Sequence, residues 1–170
     1  LSGSISLTGG IVADLTTSRH TATVEKNSGP ARVFSPAGTP AQHFAQFGWV
    51  AADDSAGIAL PTATTVWTAP AGAKLTPATP VMLTWTNPTG QTFAIRYAID
   101  NDYMITATQS VTNRGAAPVV VRPFALINRT DKTASVDTWN VHSGPNGAFD
   151  GAVQFGPNYS DVVKGGIVGN

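Results

Sequence analysis

Apolar and polar residues alternate with period two along most of the chain, which is the pattern of half-buried strands. Ile5 and Leu7 alternate with Ser4 and Ser6, and Gly9-Gly10 then turns the chain into IVADL. Val81, Leu83 and Trp85 stand opposite Met82, Thr84 and Thr86. Phe93, Ile95, Tyr97 and Ile99 alternate with Ala94, Arg96 and Ala98. Tyr103, Ile105, Ala107 and Val111 follow the same rule, with Thr106 and Thr108 opposite. The run PVVVRPFALI, 118–127, is apolar on both faces except at Arg122, which predicts a strand through the middle of a sandwich.

Turn signals separate these segments: NPTG at 87–90, DND at 100–102 and NRGAAP at 113–118. Three consecutive short connections predict an antiparallel meander from about Val81 to Arg129. Any helix is expected to be short. PAQHFAQFG, after Thr39, is a weak candidate, and HFAQFGWV within it also alternates as a strand. The stretch Asp53 to Thr79, rich in Ala, Thr, Pro and Gly around Trp67, reads as an extended excursion across the sheet surface. No internal repeat is visible. The pattern predicts an all-β, two-sheet antiparallel sandwich forming one domain over 1–170.

Composition sharpens this. The 170 residues include 17 Gly and 12 Pro, which favours strands and turns over helices. Ten basic and ten acidic residues cancel. A binder of phosphate backbones or anionic membranes needs a cationic surplus that this chain lacks. There are no cysteines, so disulfides, thiolate metal sites and cysteine nucleophiles are excluded. The longest uncharged run, Leu75 to Ile95, carries Pro77, Pro80 and Pro88 and does not suit a membrane helix. The start at Leu1 and the finish in KGGIVGN read as a domain excised from a larger protein.

Candidate chemistry is sparse. No GxSxG elbow is present, and Ser143 beside His142 would point to the opposite face of a strand. Paired-acid catalysis has one Glu to draw on, Glu25, while Asp137 and Asp150 flank a Gly-rich loop and more simply cap turns. His20, His43 and His142 share no metal-ligand spacing, and Asp100 with Asp102 reads as a plain turn. Trp49 and Trp85 sit in alternating strands and read as core. Trp67 and Trp139 lie in looser segments and are candidates for exposure, as on a sugar-stacking platform. The loop TWNVHSGPNGAFDG, 138–151, gathers a His, an Asp and several Gly. Its simpler reading is structural: Gly144, Gly147 and Gly151 serve tight backbone, Phe149 plugs the loop against the sandwich, Asp150 caps a turn, and His142 hydrogen-bonds within the loop.

Several segments in order resemble a known family. GSISLTGGIVADL, FSPAGTPAQHFAQFGWV, TPVMLTWTNPTGQTF, YMITATQSVTNRGAAPVVVRPFALINR, HSGPNGAFDG and KGGIVGN are together similar to the large periplasmic domain of YidC, the bacterial membrane protein insertase, in its alphaproteobacterial form. Gln46 stands where that family suggests Glu, and Ile167 where it suggests Trp. The resemblance implies an antiparallel β-supersandwich of the galactose mutarotase-like kind, on the periplasmic face of the inner membrane. It implies a non-catalytic interaction domain, auxiliary to insertion, with no cofactor and no metal. The implied partners are the SecD/SecF accessory subunits of the Sec translocon and nascent membrane proteins. The rival readings are a carbohydrate-binding or mutarotase-like cleft and a holdase-like cleft for extended polypeptides that add a strand to an exposed edge. Cleft contacts under any of these readings would be Trp67, Arg96, Trp139, His142 and Asp150.

Overall fold

The computed structural model describes residues 1–52, 57–130 and 142–164. Among them are ten strands: β1 (Ser2–Ser6), β2 (Ile11–Thr21), β3 (Pro30–Phe34), β4 (His43–Ala51), β5 (Val81–Thr86), β6 (Gln91–Ile99), β7 (Ile105–Asn113), β8 (Val121–Arg129), β9 (Asn146–Phe149) and β10 (Ala152–Phe155). One short helix, α1 (Tyr159–Val163), follows. All ladders are antiparallel. One sheet has the order β1-β2-β4-β8, with β3 also on β2; a second is β5-β6-β7, and β9-β10 is a separate hairpin.

The two larger sheets enclose the core. In β6, Phe93, Ile95 and Tyr97 are fully buried, while Arg96 between them is exposed, so the alternation is realised residue by residue. Each such burial contributes about 1.5–3 kcal/mol. From the other sheet come Val12, Leu15 and Trp49. The aromatic rings interlock: Trp49 meets Phe93 edge-on at 5.2 Å, and Phe47 meets Tyr97 at 5.9 Å.

The excursion after Ala52 stitches the layers together. It bridges the first sheet at Thr8↔Val66 and the second at Thr68↔Thr84. Trp67 lies between these bridges and drops into the core, 6.2 Å from Trp49. The expectation of an exposed Trp67 is therefore corrected, since it is 2 % exposed. The bridged segment is extended, so its side chains alternate: Val66 and Thr68 are exposed and Trp67 between them faces the core.

Three further expectations change. The predicted meander stops after β7, because β8 crosses to the other sheet and pairs with β4 from Val121↔Ala51 to Arg129↔His43. The 118–127 run is not central: among the described residues β8 is the last strand of its sheet, and Phe124, Leu126 and Ile127 are exposed. Pro123, which cannot donate to a ladder, suits that edge position. The helix candidate at PAQHFAQFG is strand from His43 onward, and the helix that forms lies at 159–163.

Candidate functional site

A groove of about 900 Å³ is lined by residues of both larger sheets and of the crossover. Ile5, Val12, Leu15, Leu75, Val81, Leu83 and Ile105 give it apolar lining, and Ser18, Arg19, Lys74 and Asp100 add polar groups. Ile5 belongs to β1, the end strand of its sheet, whose outer edge is unladdered among the described residues. Such an edge offers backbone donors and acceptors to an extended chain.

Among the lining residues, Asp100, Tyr103, Ser18 and Arg19 form a clasp. Asp100 Oδ1 accepts hydrogen bonds from the backbone N–H groups of Asp102 and Met104, both at 2.8 Å. This tight loop holds Tyr103 at φ 72, a left-handed conformation uncommon for an aromatic residue. Tyr103 thereby reaches across to β2, where the Arg19 guanidinium sits 5.3 Å from its ring centroid and Ser18 Oγ lies 3.4 Å from its hydroxyl. The plain-turn reading of Asp100 and Asp102 holds. What sequence reasoning missed is the clasp, although an Asn-Asp turn before an aromatic residue was the available signal.

The residues expected to converge on a cleft are dispersed. Trp67 is in the core, and Arg96 is exposed on the outer face of β6. His142 and Asp150 lie in the C-terminal hairpin region, and Trp139 and Asp137 fall outside the described residues. Asp150 and Gly151 form the β9-β10 turn with φ 50 and φ 80, the pairing that a two-residue hairpin requires. Phe149 does not plug the loop; it is 62 % exposed. His142 Nε2 is buried with no hydrogen-bond partner among the described residues, contrary to the expected loop bond, and the ring packs edge-on against Phe155 at 5.3 Å.

Burial pushes the Tyr97 phenol well above its ordinary value, and its O–H donates to the Gly10 carbonyl at 2.8 Å. His43 is lowered, first by burial and then by the nearby Arg129 guanidinium, against a smaller raising contribution from the Val33 backbone. Neither residue lines the groove. No group of three or more His, Asp or Glu side chains that could hold a metal occurs among the described residues. No helix among them is long and apolar enough to cross a membrane.

The molecule is thus an antiparallel β-sandwich domain with an apolar groove beside an open sheet edge. A family model described as YidC periplasmic domain matches residues 1–168. The chain belongs to that family. It is similar to the membrane protein insertase YidC of Zymomonas mobilis, 42% identical over 95% of this chain and 27% of that protein. The YidC of Acidiphilium cryptum is 40% identical over 98% of this chain and 27% of its own length. That of Ruegeria sp. is 42% identical over 88% and 25%. The chain thus spans only about a quarter of the length of the curated relatives it matches. No solved structure matches it, and the galactose mutarotase kinship rests on the resemblance alone.

Proposed function

We propose that this chain serves as a non-catalytic interaction domain of a membrane protein insertase, on the periplasmic side of the bacterial inner membrane, and is auxiliary to insertion. The whole-chain family match carries this reading. The groove supports it, because an apolar lining beside an unladdered strand suits an extended polypeptide. The partners proposed are nascent membrane proteins and the SecD/SecF accessory subunits of the Sec translocon.

The test is deletion of residues 1–170 from the full-length protein in cells. Insertion of simple substrates is expected to continue, with co-purification of SecD/SecF reduced. If a folded, abundant deletion protein loses all insertion, the auxiliary role is wrong. Unchanged SecD/SecF recovery removes those partners from the proposal.

A further inference from the structure

The groove carries a charge imbalance that the chain as a whole does not. Ten basic and ten acidic side chains cancel over the 170 residues. The charged side chains lining the groove are Arg19, Lys74 and Asp100, two cations against one carboxylate. That carboxylate is already engaged, since its Oδ1 accepts from the backbone N–H groups of Asp102 and Met104. The cations are not. Among the described residues the ion pairs are Arg32–Asp14 and Lys164–Asp161, so neither Arg19 nor Lys74 is matched by an acid. Neither side chain has a hydrogen-bond acceptor among the described residues either.

Arg19 is also held in place. Its guanidinium carbon lies 5.3 Å from the ring centroid of Tyr103, in the loop that Asp100 tightens. A ring contact steadies the cation without supplying an acceptor for its N–H groups. A positioned guanidinium with unspent donors is suited to a carboxylate, which it can grip with two parallel N–H···O bonds. Lys74, in the crossover, adds a second positive charge to the same lining.

We propose that the groove selects extended, apolar polypeptide segments that carry an Asp or Glu side chain, and that this carboxylate pairs with Arg19. The proposal rests on the reading of the groove as a polypeptide site and adds to it a preference of charge. Such a preference has a use at a membrane. Loops that stay on the cytoplasmic side are enriched in Lys and Arg, and loops that reach the far side are poor in them. A groove with surplus positive lining favours the second kind and repels the first.

The experiment is a ¹H–¹⁵N titration of the labelled chain with three short end-capped peptides. In each, Val alternates with Ser, and one central Ser is replaced by Glu, Gln or Lys. Sodium laurate, an acyl chain with a carboxylate, is the competing occupant. The Glu peptide is expected to shift the amides of groove residues such as Ile5, Leu83 and Ile105 saturably. Its affinity should exceed that of the Gln peptide about fivefold, the size of one partly exposed ion pair, with the Lys peptide weakest. At about 0.5 M salt the spread among the three should collapse. Arg19→Gln, at an exposed position, is expected to bring the Glu and Gln affinities together and leave the Gln affinity unchanged, while Arg19→Lys keeps part of the difference. Equal affinity for all three peptides, with the groove amides still shifting, overturns the charge selection and leaves the polypeptide groove intact. A Glu preference that survives Arg19→Gln overturns the pairing with Arg19. If no peptide shifts the groove amides, or laurate does and the peptides do not, the polypeptide reading of the groove falls and this proposal with it.

Discussion

The hydroxyl of Tyr97, at the centre of the three-stranded sheet, donates a 2.8 Å hydrogen bond to the carbonyl of Gly10 in the first hairpin of the opposite sheet. Gly9 and Gly10 close that hairpin with φ 75 and φ 64, so the carbonyl is presented to the core by a turn that favours glycine. Tyr97→Phe keeps the ring packing and orphans the carbonyl. A loss of about 1–2 kcal/mol is expected in urea unfolding. The raised phenol also gives a sign: the unfolded chain ionises near pH 10, the folded one higher. Stability is therefore fully present below pH 10 and falls as pH rises above it. Tyrosinate absorbance of Tyr97 should emerge only with unfolding.

A buried amide network holds the β5-β6 turn of the second sheet. Asn87 Nδ2 donates to the Ala59 carbonyl and to Gln91 Oε1, each at 2.9 Å, while its Oδ1 accepts from the Thr89 and Gln91 backbone. Gln91 Nε2 continues to Asn113 Oδ1 at 2.9 Å. Asn87→Ala strands several of these groups at once and is expected to cost about 3 kcal/mol or more. Equilibrium denaturation checks the magnitude. Amide exchange near Ala59 should rise first, because the crossover loses its anchor.

His43 supplies an acid-side dependence. Its folded value lies below the ordinary 6.5, so the unfolded chain binds the proton more readily. The contribution is intact above pH 6.5 and is lost as pH falls through the folded value. Thermal melts from pH 7.5 to 4.5 should show this slope. His43→Gln is expected to reduce it, whereas an unchanged slope would assign the dependence to other groups.

Gly48 and Phe124 are cross-strand partners, and the Phe124 ring lies over the glycine: a Cβ there would sit 2.6 Å from its Cζ. Gly48→Ala must push the ring outward. The expected cost is about 1 kcal/mol, near the low end for overpacking because the ring is already part-exposed. In Phe124→Ala the same change should cost much less, and a double-mutant cycle measures the coupling.

Tyr103 combines a left-handed backbone with a long-range clasp. Tyr103→Gly relieves the backbone but loses Arg19 and Ser18, whereas Tyr103→Ala keeps the strain and loses both contacts. The Ala variant is therefore expected to be the less stable by about 1 kcal/mol. Equal stability would show that the φ of 72 carries no penalty here.

The strands of the second sheet were legible from alternation, because β6 has one face on the core and one outside, and period two reports that difference directly. So was the Gly9-Gly10 hairpin, since only a few residue types tolerate its φ values. The 118–127 run misled because an apolar strand looks the same at a sheet edge as in its middle, and pairing partners far along the chain decide which it is. For Trp67 the sequence showed only a loose segment; two bridges to different sheets turned it inward. The candidate cleft residues stand out by chemical type, and type does not say which face of which layer a residue occupies.

Local rules thus settled what depends on neighbours: the all-β class, most strand positions, the Asp150-Gly151 and Asp100 turns, and the ordered motifs that carried the family resemblance. The tertiary structure decided what depends on distant residues. It set the crossover of β8, the burial of Trp67, the groove beside β1 and the clasp of Tyr103 on Arg19. Each of these rests on contacts between segments tens of residues apart, whose closing no local periodicity encodes.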